Sequence, residues 1–425
     1  MQRRSFLNTV MAVPAAAAQM TASTNPKIEK SRVAAIDALK PSKKNLEHGL
    51  ELHANSMVVE SYGFSPRSGY DAEAYRREFE AGASGQELED LREEMLMTRC
   101  VTDARDREEY KQAWDASGVT CVFQNAGEEG QDPMRLIKRL ARFTYVTDTL
   151  ADFVTRAAFP DDIVSAKKQN KHALYFSGNG VPVTGHWISV QDELRYIRIF
   201  YQLGIRMMHL TYNRRNMLGD GCAEPANGGI SDFGKAAIAE MNRVGVIVDV
   251  AHSGWRTSLE AAKASTKPMV ASHSAVAEIN RHIRTKPDEV IRAIADTGGY
   301  IGICCIPSFL GRSGDINAML DHIDYVVKRF GADHVAIGTD VAYTPSSSDG
   351  LKLPGRRSRP RFENFWPPDA FGNYPSQHAS MAWTNWPFFT VGMVERGHSD
   401  EDIRKIIGGN VLRVARAVLP YSPPV

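Results

Sequence analysis

Along most of the chain, short runs of apolar, often β-branched residues alternate with longer segments whose apolar positions recur every three or four residues. The short runs predict strands at Ser56–Ser61, Gly118–Gln124, Lys171–Ser177, Ile205–Thr211, Val246–Val250, Pro268–Ser272, Gly299–Ile306 and His334–Thr339. The longer segments predict helices at Met134–Arg156, Val190–Leu203, Asp232–Val244, Trp255–Ala264, Asp288–Thr297 and Ile316–Phe330, and the charged stretch Tyr70–Ala116 reads as exposed helices. Strands that alternate with helices make a parallel α/β architecture, and eight is the count that closes a (β/α)8 TIM barrel. A doubly wound open sheet is the alternative, but no Gly-x-Gly-x-x-Gly follows the first strand to support a dinucleotide site.

The pattern also marks what lies outside the barrel. Arg3-Arg4 followed by Ser5-Phe6-Leu7 and the Ala-rich stretch Thr9–Ala18 reads as a twin-arginine export signal over residues 1–20, which places the mature protein in the periplasm or otherwise outside the inner membrane. Residues 21–51 are polar and Lys-rich, a linker or a peripheral helix, and the barrel domain runs over 52–420. After the eighth strand an insertion, 342–386, carries the basic run Arg356 to Arg361 and the aromatics Phe362, Phe365, Trp366, Phe371, Tyr374, Trp383 and Trp386. Leaving the eighth strand, it is either a lid, recognition element or subunit contact over the mouth, or a loop held down by its own aromatics.

Composition narrows the partners rather than the fold. Lys and Arg number 51 against 50 Asp and Glu, so no charge excess points to nucleic acid or an anionic membrane. No run approaches the roughly 18 apolar residues a membrane span needs. Five cysteines without C-x-x-C spacing give neither a disulfide framework nor a zinc ribbon.

In a barrel the chemistry sits on the carboxyl ends of the strands. Reading those ends gives Glu60 and Tyr62, Gln124 and Asn125, Ser177 and Asn179, Thr211 and Tyr212, Asp249 and His252, His273, Cys304 and Cys305, and Asp340. His252 and His273 close consecutive predicted strands, which in a parallel sheet lie about 4.8 Å apart. Two such imidazoles with Asp340 suit zinc or another divalent ion, which would acidify a bound water and polarise a carbonyl.

Several separate motifs, in order, carry a family resemblance. Leu203-Gly204-Ile205-Arg206 leads to Leu210-Thr211-Tyr212-Asn213 and Asn216; Val248-Asp249-Val250-Ala251-His252 and Ala271-Ser272-His273-Ser274 follow; then come Arg284, Gly298-Gly299, Gly338-Thr339-Asp340 and Gly408-Gly409-Asn410-Val411-Leu412-Arg413-Val414. Over Gly180–Leu419 the chain resembles the membrane dipeptidase (renal dipeptidase) family of metal-dependent TIM barrels. The resemblance implies two zincs bridged by a glutamate and a hydroxide, hydrolysis of dipeptides and some β-lactams, a homodimer, and a substrate carboxylate held by Arg284. Three family positions differ. The His-x-Asp after strand one falls at Tyr62-Gly63-Phe64, the bridging glutamate at Ser177, and the histidine that contacts the reacting carbonyl at Tyr212.

These departures remove the bridged pair of ions and leave one ion rather than two, on His252, His273 and Asp340, with Glu60 as a further ligand. Tyr212 would donate to the oxyanion and Asp340 would act as ligand or general base, while Arg284, Tyr62, Ser177 and Asn179 would line the substrate. The expected function is an exported hydrolase for a dipeptide or related small amide. The alternatives are a metal-dependent lyase or isomerase, since the bridging hydroxide is lost, and a non-catalytic barrel that binds a small ligand or a protein at its mouth.

Overall fold

The computed structural model describes residues 23–127, 132–355, 366–367 and 369–419. The export signal, the basic run from Arg356 to Arg361, and Phe362 and Phe365 lie outside the described residues. Within them, nine parallel strands form one sheet: β1 (Val59–Gly63), β2 (Cys121–Asn125), β3 (Val154–Ala157), β4 (His172–Gly178), β5 (Met207–His209), β6 (Ile247–Asp249), β7 (Val270–Ser274), β8 (Tyr300–Ile303) and β9 (Val335–Ile337). Their order is β1-β2-β4-β5-β6-β7-β8-β9, with β3 added beside β4. Eight strands therefore make a nearly closed barrel ringed by helices, as the alternation in the sequence predicts.

The ninth strand corrects the predicted helix Met134–Arg156. That helix ends at Thr149, and after a turn Val154–Ala157 pairs with the first half of β4, from Val154 against His172 to Ala157 against Tyr175. Beyond Tyr175 the same edge of β4 passes to β5, through Ser177 against Met207. Four residues are too few to break a helical apolar spacing in the sequence, and only the free edge of β4 selects the extended form.

Alternation along the strands sorts the core into two. Val59, Cys121, Phe123, Ala173, Tyr175, Met207, Ile247, Val270, Tyr300 and Ala336 point into the barrel, joined by Val411, Val414, Ala415 and Val418 of the helix Asn410–Val418. Their neighbours Val58, Val122, Leu174, Met208, Val248, Ala271, Ile301 and Val335 face the outer helices. With period two, the next inward positions toward the carboxyl ends are Ser61, Ser177, His209, Asp249 and Ser272, all fully buried.

The seam between β9 and β1 is closed by a side chain. Asp340 N–H reaches Tyr62 O at 3.4 Å, but the main tie is Glu60: its Oε1 accepts from Thr339 N–H at 3.1 Å and from the Thr339 hydroxyl, and its Oε2 accepts from Trp383 Nε1 at 2.8 Å. Gly338 is required beside this seam, because a Cβ there would lie 2.1 Å from Ser272 O across the interior. Trp383 and Trp386, from the end of the 342–386 insertion, are fully buried, so this part of the insertion is core. Helices Pro26–Leu39 and Lys43–Asn55 occupy most of the stretch read as linker or peripheral helix. Among the described residues no helix is long and apolar enough to cross a membrane.

Candidate active site

The site is built outward from the register of β5 and β6, which sets His209 opposite Asp249. The Asp249 carboxylate is held firmly. Oδ1 accepts from Ala251 N–H at 2.9 Å and Ser272 N–H at 3.0 Å, and Oδ2 accepts from the Ser272 hydroxyl. Burial alone would raise its pKa, but the adjacent His209 ring and the Ser272 donors outweigh that and hold it below the usual carboxylate value. His209 Nε2 lies 2.7 Å from Asp249 Oδ2, a charge contact across the two strands, and Nδ1 of this fully buried histidine has no hydrogen-bond partner among the described residues.

The two sequence-predicted histidines do meet. His252 Nε2 and His273 Nε2 face each other at 3.0 Å. Their other nitrogens fix the tautomers. His252 Nδ1 lies 2.7 Å from Asn213 Oδ1, an acceptor that also takes the Cys222 thiol, so Nδ1 carries the proton. His273 Nδ1 lies 2.9 Å from Ser272 Oγ, whose own proton goes to Asp249, so here too Nδ1 is the donor. Both facing Nε2 atoms are therefore left with lone pairs. Burial, with Arg284 and neighbouring imidazoles adding to it, drives both histidines well below the ordinary imidazole pKa, so a shared proton is disfavoured.

Arg284 packs behind this pair, fully buried. Its Nη2 donates to His273 O at 3.1 Å and its Nε to Ala251 O at 3.4 Å, while Nη1 has no partner among the described residues. Phe309 and Trp366 lie over its guanidinium at 5.1 and 6.0 Å, so the insertion does reach the mouth through Trp366. Tyr212 is half-buried and stacks on His252 with centroids 4.1 Å apart. Beside Cys222, a cavity of about 300 Å3 opens between Gly254, Trp255, Arg281 and His282.

The remaining predicted site residues lie on the other half of the mouth and are taken up in hydrogen bonds within the protein. The Tyr62 hydroxyl donates to Asn179 Oδ1, and the Tyr62 ring stacks on His273 at 3.8 Å. Ser177 Oγ donates to Gln124 O at 3.1 Å. Glu60 is taken up by the seam. Burial pushes its carboxyl up to about 8, even against the lowering effect of the Thr339 and Trp383 bonds. Asp340 is half-buried beside it in a left-handed conformation, φ 59°.

The donor chemistry fits a divalent ion. Among the described residues, the His, Cys, Asp and Glu side chains whose donor atoms come together within metal-binding reach are His209, Asp249 and His273, all buried and mutually within 4.8 Å. Neither Asp340 nor Glu60 belongs to that set, and Glu60 is bonded into the seam through Thr339 and Trp383. His209 lies inside the predicted strand Ile205–Thr211 rather than at its end, so strand ends alone do not pick it out, although the observed β5 closes on it. The signal that could have found it is alternation: if Met207 points inward, so does His209, level with Asp249 one strand over.

The fold and this mouth have known counterparts. The family model of membrane dipeptidase, peptidase family M19, matches residues 87–356. A dipeptidase of Claviceps purpurea, tcpJ, is 28% identical over 278 residues, 64% of this chain and 57% of its own. A dipeptidase of Clonostachys rogersoniana, verJ, is 29% identical over 232 residues, 53% of this chain and 52% of its own, so the chain spans about half the length of these curated relatives. Among solved structures, an amidohydrolase from Pseudomonas aeruginosa superposes with a TM-score of 0.63 at 24% identity, covering 87% of this chain and 98% of that one. The probable dipeptidase PvdM of the same organism gives 0.61 at 19%, covering 88% and 98%. These two likenesses establish the fold, and the family match spans β2 through β9, including His209, Asp249, His252, His273, Arg284 and Asp340. The chain belongs to the membrane dipeptidase family, whose members are metal-dependent hydrolases.

Proposed function

We propose that this protein is a hydrolase of dipeptides, or of related small amides with a free carboxylate, that works with one divalent ion on the histidine side of the barrel mouth. The observation that carries this is the facing pair of Nε2 lone pairs on His252 and His273. Two acceptors 3.0 Å apart in a buried site repel unless a cation lies between or beside them. When bound, such an ion polarises a carbonyl and makes a bound water acidic near neutral pH.

The chain's own residues do the rest. Arg284 uses its unpartnered Nη1 to take the substrate carboxylate, with its other nitrogens already braced on backbone carbonyls. Asn213 and Ser272 keep the two imidazoles in the required tautomer. Tyr212 donates to the developing oxyanion, and Asp340 accepts a proton at the rim. Trp366 and Phe309 shield the guanidinium from water, which strengthens its hold on a carboxylate. The cavity beside Cys222 supports entry from the β5–β7 side.

Turnover of a panel of L,L- and L,D-dipeptides, before and after chelation and zinc return, tests the proposal. Activity lost on chelation and regained with zinc is expected; hydrolysis indifferent to chelation sinks it. Export by the twin-arginine route belongs to the same reading and rests on Arg3-Arg4. Changing both to Lys should leave the protein in the cytoplasm. A homodimer is the family-based expectation and is read by sedimentation.

A further inference from the structure

We propose that the ion is held by His209, Asp249 and His273, one layer deeper in the barrel than the strand-end residues His252 and Asp340 would place it. The inference rests on the single-ion part of the reading above, keeps His273 from its histidine pair, and assigns His209 and Asp249 as the other protein ligands in place of His252.

Three observations support it independently. First, among the described residues these three form the one group of three or more His, Cys, Asp or Glu side chains whose donor atoms all lie within 4.8 Å of one another. Second, His209 is fully buried, with Nδ1 lacking a hydrogen-bond partner among the described residues and Nε2 turned to the Asp249 carboxylate at 2.7 Å, so two of the three donors already converge. Third, the surroundings already orient the donors. Ser272 fixes the His273 tautomer and also binds Asp249, whose Oδ1 is pinned by two backbone N–H groups. Outer contacts of this kind hold metal ligands in place. Two imidazoles and one carboxylate suit zinc or cobalt(II) rather than calcium or magnesium. The position also agrees with the tyrosine at residue 62. Its ring lies flat on His273 and 5.3 Å from His209, covering the side of the imidazoles that faces β1.

The test uses the full chain, stripped with chelator and titrated with cobalt(II), whose visible absorption reports coordination without reference to activity. Wild type should bind one equivalent with the intense bands of a low-coordinate site. His209→Gln and Asp249→Asn should each weaken cobalt binding by at least about 100-fold, beyond the range typical of outer contacts. Asp249→Asn keeps the oxygen that accepts the two backbone N–H bonds, so it serves as the second variant should His209→Gln fail to fold. Asp340→Asn should keep both the equivalent and the spectrum. One equivalent bound unchanged by His209→Gln and Asp249→Asn, or lost on Asp340→Asn, overturns the ligand assignment and leaves the hydrolase reading standing. No cobalt bound by wild type overturns both. A cobalt site that depends on His209 in a protein cleaving no dipeptide upholds the assignment and sinks only the hydrolase reading.

Discussion

The two halves of the barrel mouth treat their buried polar groups in opposite ways. On the β1–β4 side the accounts close: Tyr62 bonds Asn179, Ser177 bonds Gln124 O, and Glu60 is shared between Thr339 and Trp383. On the β5–β7 side they do not. His209 Nδ1, Asn213 Nδ2 and Arg284 Nη1 lack hydrogen-bond partners among the described residues, and two imidazole lone pairs face each other. Each unsatisfied buried group costs about 1–3 kcal/mol, so several together call for added partners such as an ion, a substrate or ordered water. The same sheet thus carries a structural half and a half prepared for ligand. The family positions that differ in this chain at Tyr62 and Ser177 both fall in the structural half.

The contrast is broken most directly by His273→Ala, which removes the imidazole common to both ligand sets. Loss of an ion's charge stabilisation is worth several kcal/mol, so kcat/KM for the best dipeptide should fall about a thousandfold. A variant with activity near wild type would move the chemistry elsewhere.

Glu60 offers the next largest effect, on stability. Its carboxyl is raised from 4.5 to about 8 by burial, so between those values the folded protein keeps a proton that the unfolded chain has lost. Stability from this group is full below about 4.5, declines as pH rises and is gone above about 8, a change of a few kcal/mol. Urea midpoints from pH 5 to 9 should show that decline, and Glu60→Gln should flatten it. An equal decline in the variant would show that the seam carboxylate is not the titrating group.

Arg284→Lys sharpens the ligand side. It keeps the charge and loses the fork, so about 2 kcal/mol of carboxylate binding should disappear, seen as a roughly thirtyfold lower kcat/KM carried mainly by KM. A change confined to kcat would argue against a substrate contact. The smallest effect belongs to Tyr62→Phe, which keeps the ring on His273 and loses the bond to Asn179. About 1 kcal/mol of stability should go, with metal affinity unchanged. A large loss of metal would place Tyr62 on the ligand side after all.

Alternating patterns in the sequence determined the barrel, the eight main strands and the presence of His252 and His273 on one rim, because a period of two or of 3.6 is written in the chain itself. The motifs from Leu203 to Val414 determined the family. What the sequence left undecided depended on contacts across the fold. The strand Val154–Ala157 exists because β4 has an edge to offer, which no local pattern records. Glu60 and Asp340 look like ligands in the sequence, yet Glu60 is bonded into the β9–β1 seam and Asp340 stands beside it, outside the converging donor cluster. His209 looks like a core strand residue, yet its register against Asp249 and its unpartnered Nδ1 set it in the ligand cluster. Residue type fixes what a group can donate or accept, but only the tertiary structure decides which groups are satisfied, and in this barrel the unsatisfied ones mark the site.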